Sequence, residues 1–191
     1  MTMQLLELTE YPGRGHLWPR NLDDVVDDFI FGYRSAADAE FEGFANEASL
    51  EDAITRAARA RNLDGKRHWH QRRFAKELLE DVHVVLQGLR LHDEQSFHEL
   101  FELIEAAILP MHGIGELMVY DTAQRIGARL GLEAEYVYLH RGTRDGAYNL
   151  GLDWKKPYLT PDELPPAFRR LKPREIEDCL CIYKKVLRSD W

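Results

Sequence analysis

Cysteine is almost missing from this sequence, which has two thiols, Cys179 and Cys181, in 191 residues. Two apart in a helical pattern, they project to nearly opposite sides, so they neither bridge easily nor share a metal. They read as free thiols of a reducing compartment. Also missing is any run near the roughly 18 apolar residues a membrane helix needs, and Met1 to Glu10 lacks the basic-then-apolar order of a signal peptide. A cytoplasmic chain without membrane contact is expected. No Walker loop, dinucleotide fingerprint or nucleophile elbow occurs, which leaves ATP-driven, redox and serine-hydrolase chemistry unsupported. Positive charge is scarce as well, with 25 Lys and Arg against 33 Asp and Glu and a net charge of −8. That balance excludes a whole-surface attraction to nucleic acid, so any such binding must rest on a local patch.

What is present is ordinary globular chemistry. Hydrophobic residues make up 45% and charged residues 30%, enough to build a self-sufficient core. We expect an all-α fold: a single multi-helix domain over residues 1–191, with Met1 to Trp18 irregular or briefly extended. Asn21 caps an amphipathic run of Leu22, Val25, Val26, Phe29, Ile30 and Tyr33, whose other side carries Asp23, Asp24, Asp27 and Asp28. Those aspartates are explained by the helix dipole and by solvent. Ser49 with Asp52 starts a second helix, to about Arg61, and Gly65 breaks the pattern before a longer one from about His70 to Leu91. That helix is expected to bury Phe74, Leu78, Val82, Val85 and Leu89. Ser96 with Glu99 forms a capping-box pattern ahead of Phe97, Leu100, Phe101, Ile104 and Ile108. Lys172-Pro173 opens a last helix carrying Ile176, Leu180, Tyr183 and Leu187.

Charge is distributed unevenly. Residues 1–54 hold twelve acidic side chains against three basic, whereas Thr55 to Ala75 holds Arg56, Arg59, Arg61, Lys66, Arg67, Arg72 and Arg73 against Asp64 alone. Within that stretch, Lys66, Arg67, Trp69, Arg72 and Arg73 combine cations with an aromatic ring, the composition that grips a phosphate backbone and stacks on an exposed base. Equally, such a run can be a solvated face with Trp69 in the core. His68 and His70 form an H-x-H pair that could ligate a metal only if His112, His140 or a carboxylate converged on it, Glu80 and His83 give one Glu-x-x-His without a second copy, and His98-Glu99 lacks the following histidine of a zinc protease. No metal and no cofactor are expected. Gly142-Thr143-Arg144-Asp145-Gly146 reads either as a polar turn at a site or as part of a helix that Arg144 and Asp145 simply solvate.

Between Phe97 and Leu130 the punctuation is informative. Pro110 ends one helix, and Gly113-Ile114-Gly115 permits a tight turn with positive φ into the next. Such a turn aims backbone N–H groups outward at a helix N-terminus, where hydrogen bonding and the dipole both attract a phosphate. Ile114 is expected to plug inward. On these residues, and on Tyr136-Val137-Tyr138-Leu139-His140 ahead of a further helix, the chain resembles the helix-hairpin-helix family and its DNA glycosylase branch over residues 97–152. The resemblance implies a helix-hairpin-helix at about 97–130 and contact with DNA through Gly113, Ile114 and Gly115. Its catalytic residues do not carry over, because Leu117 stands where bifunctional enzymes have lysine and Tyr138 where the aspartate would be. Asp121, Asp145 and Asp153 are the nearby carboxylates that could substitute. Two functions follow. One is sequence-tolerant DNA binding by hairpin amides and the local basic patch, in a repair- or defence-related setting. The other is a helical protein-interaction or structural protein without nucleic acid.

Overall fold

The computed structural model describes residues 19–91 and 95–191, apart from the side chain of Trp69. The segment from Met1 to Trp18 lies outside the described residues. Among those residues the structure is mainly helical, as the periodicity predicts, and its one sheet has two short strands. None of the described helices is long and apolar enough to cross a membrane. By its internal contacts the described chain clusters into two compact units, residues 39–134 and residues 19–38 with 135–191.

In the discontinuous unit, α1 (Leu22–Gly32) starts at Asn21, whose side chain accepts the Asp24 N–H at 2.9 Å. Its stripe of Leu22, Val25, Val26 and Phe29 is buried with residues contributed from beyond position 135. Strands β1 (Val137–Tyr138) and β2 (Tyr158–Leu159) pair antiparallel, Tyr138 opposite Tyr158. Helix α7 (Arg141–Asn149) packs on α8 (Pro173–Tyr183) at very short range. A Cβ at Gly146 would stand 2.3 Å from the Leu180 carbonyl oxygen, and one at Gly142 2.7 Å from Cys181 Sγ. Of the two readings of Gly142 to Gly146 the structure has the helix, and its two glycines make the close contact with α8. Tyr183 donates to Asp28 at 2.6 Å, and burial together with that carboxylate holds its phenol protonated. Burial likewise raises the Cys179 thiol, which makes it inert.

Helix α2 (Arg34–Ala45) carries the chain into residues 39–134, where α3 (Leu50–Ala58), α4 (Lys76–Gln87), α5 (Phe97–Ile108) and α6 (Glu116–Leu130) pack on one another. Ser49 and Ser96 cap α3 and α5, accepting the N–H groups of Asp52 and Glu99. Helix α4 is shorter than its sequence pattern. Trp69–Gln71 form a separate 3-10 turn, and Ala75 is extended, so helical geometry begins only at Lys76. Its buried stripe is Leu79, Val82, His83 and Leu86; Leu78, Val85 and Leu89 are half-buried.

Candidate nucleic-acid interface

The α5–α6 turn spans residues 109–115. Met111 N–H returns to the Ile108 carbonyl at 3.0 Å and Ile114 N–H to the Met111 carbonyl at 3.0 Å, so the Ile114 amide is used inside the turn. Ile114 itself is half-buried rather than a full plug. Gly113 has φ +94°, a left-handed conformation that a side chain would strain, and a Cβ there would lie 3.3 Å from Leu78 in the first turn of α4. Gly115 differs from its expected role. With φ −125° and ψ 168° it is ordinary extended backbone at the N-cap of α6, and a Cβ would meet nothing within 4 Å. It also offers no side-chain acceptor to the first turn of that helix. Carboxylates stand close by: burial, then Glu116 and Glu102, raise the proton affinity of Glu105.

The basic stretch divides into cations that hold the fold and cations that do not. Arg56 pairs with Glu47 and lies 4.6 Å over the Phe44 ring, Arg59 grips Glu80 with two bonds of 3.0 and 2.8 Å, and Arg67 donates to the Phe74 carbonyl at 2.8 Å. Of the five residues singled out between Lys66 and Arg73, Arg67 is thus structural, and the Trp69 side chain lies outside the described residues. Lys66, Arg72 and Arg73 are exposed, and among the described residues no carboxylate pairs with them. Lys76 is also exposed.

Beneath these cations is a polar interior that the sequence pattern did not reveal. Gln71, 1% exposed, donates to Asp121 at 2.9 Å and accepts from Arg125 at 3.1 Å. His70 shares the same Asp121 oxygen at 2.9 Å. Asp121, one of the carboxylates proposed from sequence to replace a catalytic aspartate, is therefore held by Gln71, His70 and Arg125. His68 Nε2 lies 3.2 Å from Glu40 but is not aligned for a hydrogen bond, and burial with the Arg125 charge pushes its pKa down to about 3. That contact joins a neutral ring to a carboxylate and is no ion pair near neutral pH. Among the described residues, no group of three His, Cys, Asp or Glu side chains could hold a metal.

In the discontinuous unit, Tyr138 is 3% exposed within a cluster with Tyr136 and Tyr158, so it has no face to offer a ligand. The start of α7 belongs to His140, which caps the helix and bonds to Glu177 on α8, both buried. The outer face of α7 carries what sequence reasoning saw only in part. Arg141, Arg144, Asp145 and Tyr148 recur at helical spacing and, with Trp154, line an open groove of about 460 Å³. The i, i+3, i+4, i+7 pattern was the available signal. Compared with known proteins, the chain matches no family model, no curated protein and no solved structure.

Proposed function

We propose that residues 39–134 bind the phosphodiester backbone of DNA without reading its bases, through the α5–α6 turn and the start of α4. The observation that supports this most is the seat of Gly113 on Leu78. It brings the left-handed turn beside the helix whose approach and first turn carry the exposed Arg72, Arg73 and Lys76. Backbone N–H groups and exposed cations together suit a phosphate, and contacts of that kind position a protein without specifying sequence. This is the arrangement that the helix-hairpin-helix resemblance implies, in a repair- or defence-related role without base excision. A second reading is favoured by Glu102, Glu105 and Glu116, which would repel a phosphate and suit a basic protein partner.

A titration with duplex DNA at two salt concentrations separates them. Binding through two or three phosphates predicts a slope of log K against log salt of about −2 to −3. Arg72→Ala with Arg73→Ala should weaken duplexes of any sequence about equally. Salt-independent binding, or none at low salt, rejects the phosphate reading in favour of a protein partner.

A further inference from the structure

We propose that the groove on the outer face of α7 takes a guanine mononucleotide, independently of the proposed DNA binding. Tyr148 is 63% exposed and Trp154 38%, and their rings meet edge to face at 5.9 Å and 88°, forming a right-angled aromatic corner. Neither ring contributes to the core, which α7 reaches through Gly142, Gly146 and Ala147 on its other face.

The corner is built by a specific turn. Gly151, at φ +74°, ends α7 with two bonds, its own N–H to the Tyr148 carbonyl at 3.0 Å and Leu152 N–H to the Ala147 carbonyl at 2.9 Å. This pair is a Schellman motif, which folds the chain back and returns Trp154 to Tyr148. Lys155 then sits 5.6 Å over the indole.

The chemistry of the lining selects the ligand. An exposed phenol ring is a stacking platform for a planar base, with the indole as a side wall. Arg141 and Arg144 on the helix face, with Lys155 beside the indole, make a local excess of positive charge in an acidic chain, which suits a phosphate. Among the described residues that line the groove, Asp145 is the one anion. A carboxylate accepts two hydrogen bonds side by side, and guanine is the base whose pairing edge presents two adjacent N–H donors. A groove of about 460 Å³ is of the size that holds a small ligand.

Calorimetric titration of the full chain with GMP, AMP and inorganic phosphate tests the assignment. One GMP per chain should bind saturably, with phosphate alone at least about tenfold weaker, because stacking contributes most of the affinity. Tyr148→Ala and Arg141→Ala should each weaken GMP about tenfold. Both residues are exposed, so thermal midpoints should stay unchanged. Asp145→Asn should remove the preference for GMP over AMP. Arg72→Ala should leave GMP binding untouched, and Tyr148→Ala should leave duplex binding untouched, which keeps this site and the DNA reading separately testable. Absence of saturable GMP binding at millimolar concentration, equal affinity for phosphate and GMP, equal affinity of the unaltered protein for AMP and GMP, or indifference to Tyr148→Ala each overturns the proposal.

Discussion

Gly113 and Gly115 lie in a turn where a Cβ would meet a leucine methyl at 3.3 Å or nothing at all, whereas Gly142 and Gly146 lie inside a helix where it would meet α8 at 2.7 and 2.3 Å. In sequence the first pair stands out, because a G-x-G between two helical patterns suggests a ligand-facing loop. In the fold the second pair is the more constrained. Glycine inside a helix costs about 1 kcal/mol relative to alanine, and here the close approach of α8, by its backbone at Gly146 and by the Cys181 side chain at Gly142, offsets that cost. The interiors below the two regions differ as well: polar side chains fill the space under the basic stretch, and an apolar cluster lies under α7.

The largest expected effect tests the tight pair. Gly146→Ala should destabilise the protein by about 3 kcal/mol or more, since the added methyl meets a backbone carbonyl that cannot rotate away. Urea unfolding measures it; a variant within about 0.5 kcal/mol of the parent would show that α7 and α8 are not held this close.

The next prediction concerns the polar interior. His68 has its pKa depressed to about 3, below the 6.5 of the unfolded chain, so the unfolded state binds more protons between those values. Stability should therefore fall as pH drops below about 6.5, at up to about 1.4 kcal/mol per pH unit from this one group. Arg125, Asp121, His70 and Glu40 surround it. His68→Leu should flatten the acid limb of a stability profile between pH 6 and 4; an unchanged slope means that other groups set it.

A smaller effect is expected at Gly113, where Val must adopt φ +94° at a cost of roughly 1 to 2 kcal/mol. Duplex affinity should fall with it, because the turn would be displaced from Leu78. The smallest belongs to Gly115. Gly115→Ala should shift stability by less than about 1 kcal/mol and leave DNA affinity intact, because the backbone there is extended and the space is open. A large loss at Gly115 would reverse the contrast between the two pairs.

Helices with a cap and a one-sided apolar stripe were legible in sequence, and α1, α3, α5 and α8 follow from Asn21, Ser49, Ser96 and Lys172-Pro173. Helix α2 was not, since among its residues only Phe44 is buried and no apolar stripe marks a face. The start of α4 was misplaced because His68, His70 and Gln71 continue a helical spacing while their side chains answer to Asp121, Arg125 and Glu40, which lie far away in sequence. Exposed cations could be counted from sequence, but the pairing that removes Arg56, Arg59 and Arg67 from any ligand depends on Glu47, Glu80 and a backbone carbonyl. The α7 groove was half visible, as Arg144 and Asp145. Trp154 joins them only through the Gly151 turn.

The division of the chain also sets an order of events during synthesis. Residues 39–134 are contiguous, so the partners of every contact inside that unit are all present once Ala134 clears the ribosome. The stripe Leu22, Val25, Val26 and Phe29 is made earlier but buries against residues made later, and Arg34 waits for Glu175, which it grips at 2.6 Å. At roughly 5–20 residues per second, the nascent chain carries the apolar stripe of this amphipathic helix unburied for on the order of 5 to 30 s. During that interval, α1 is the segment that a chaperone would hold.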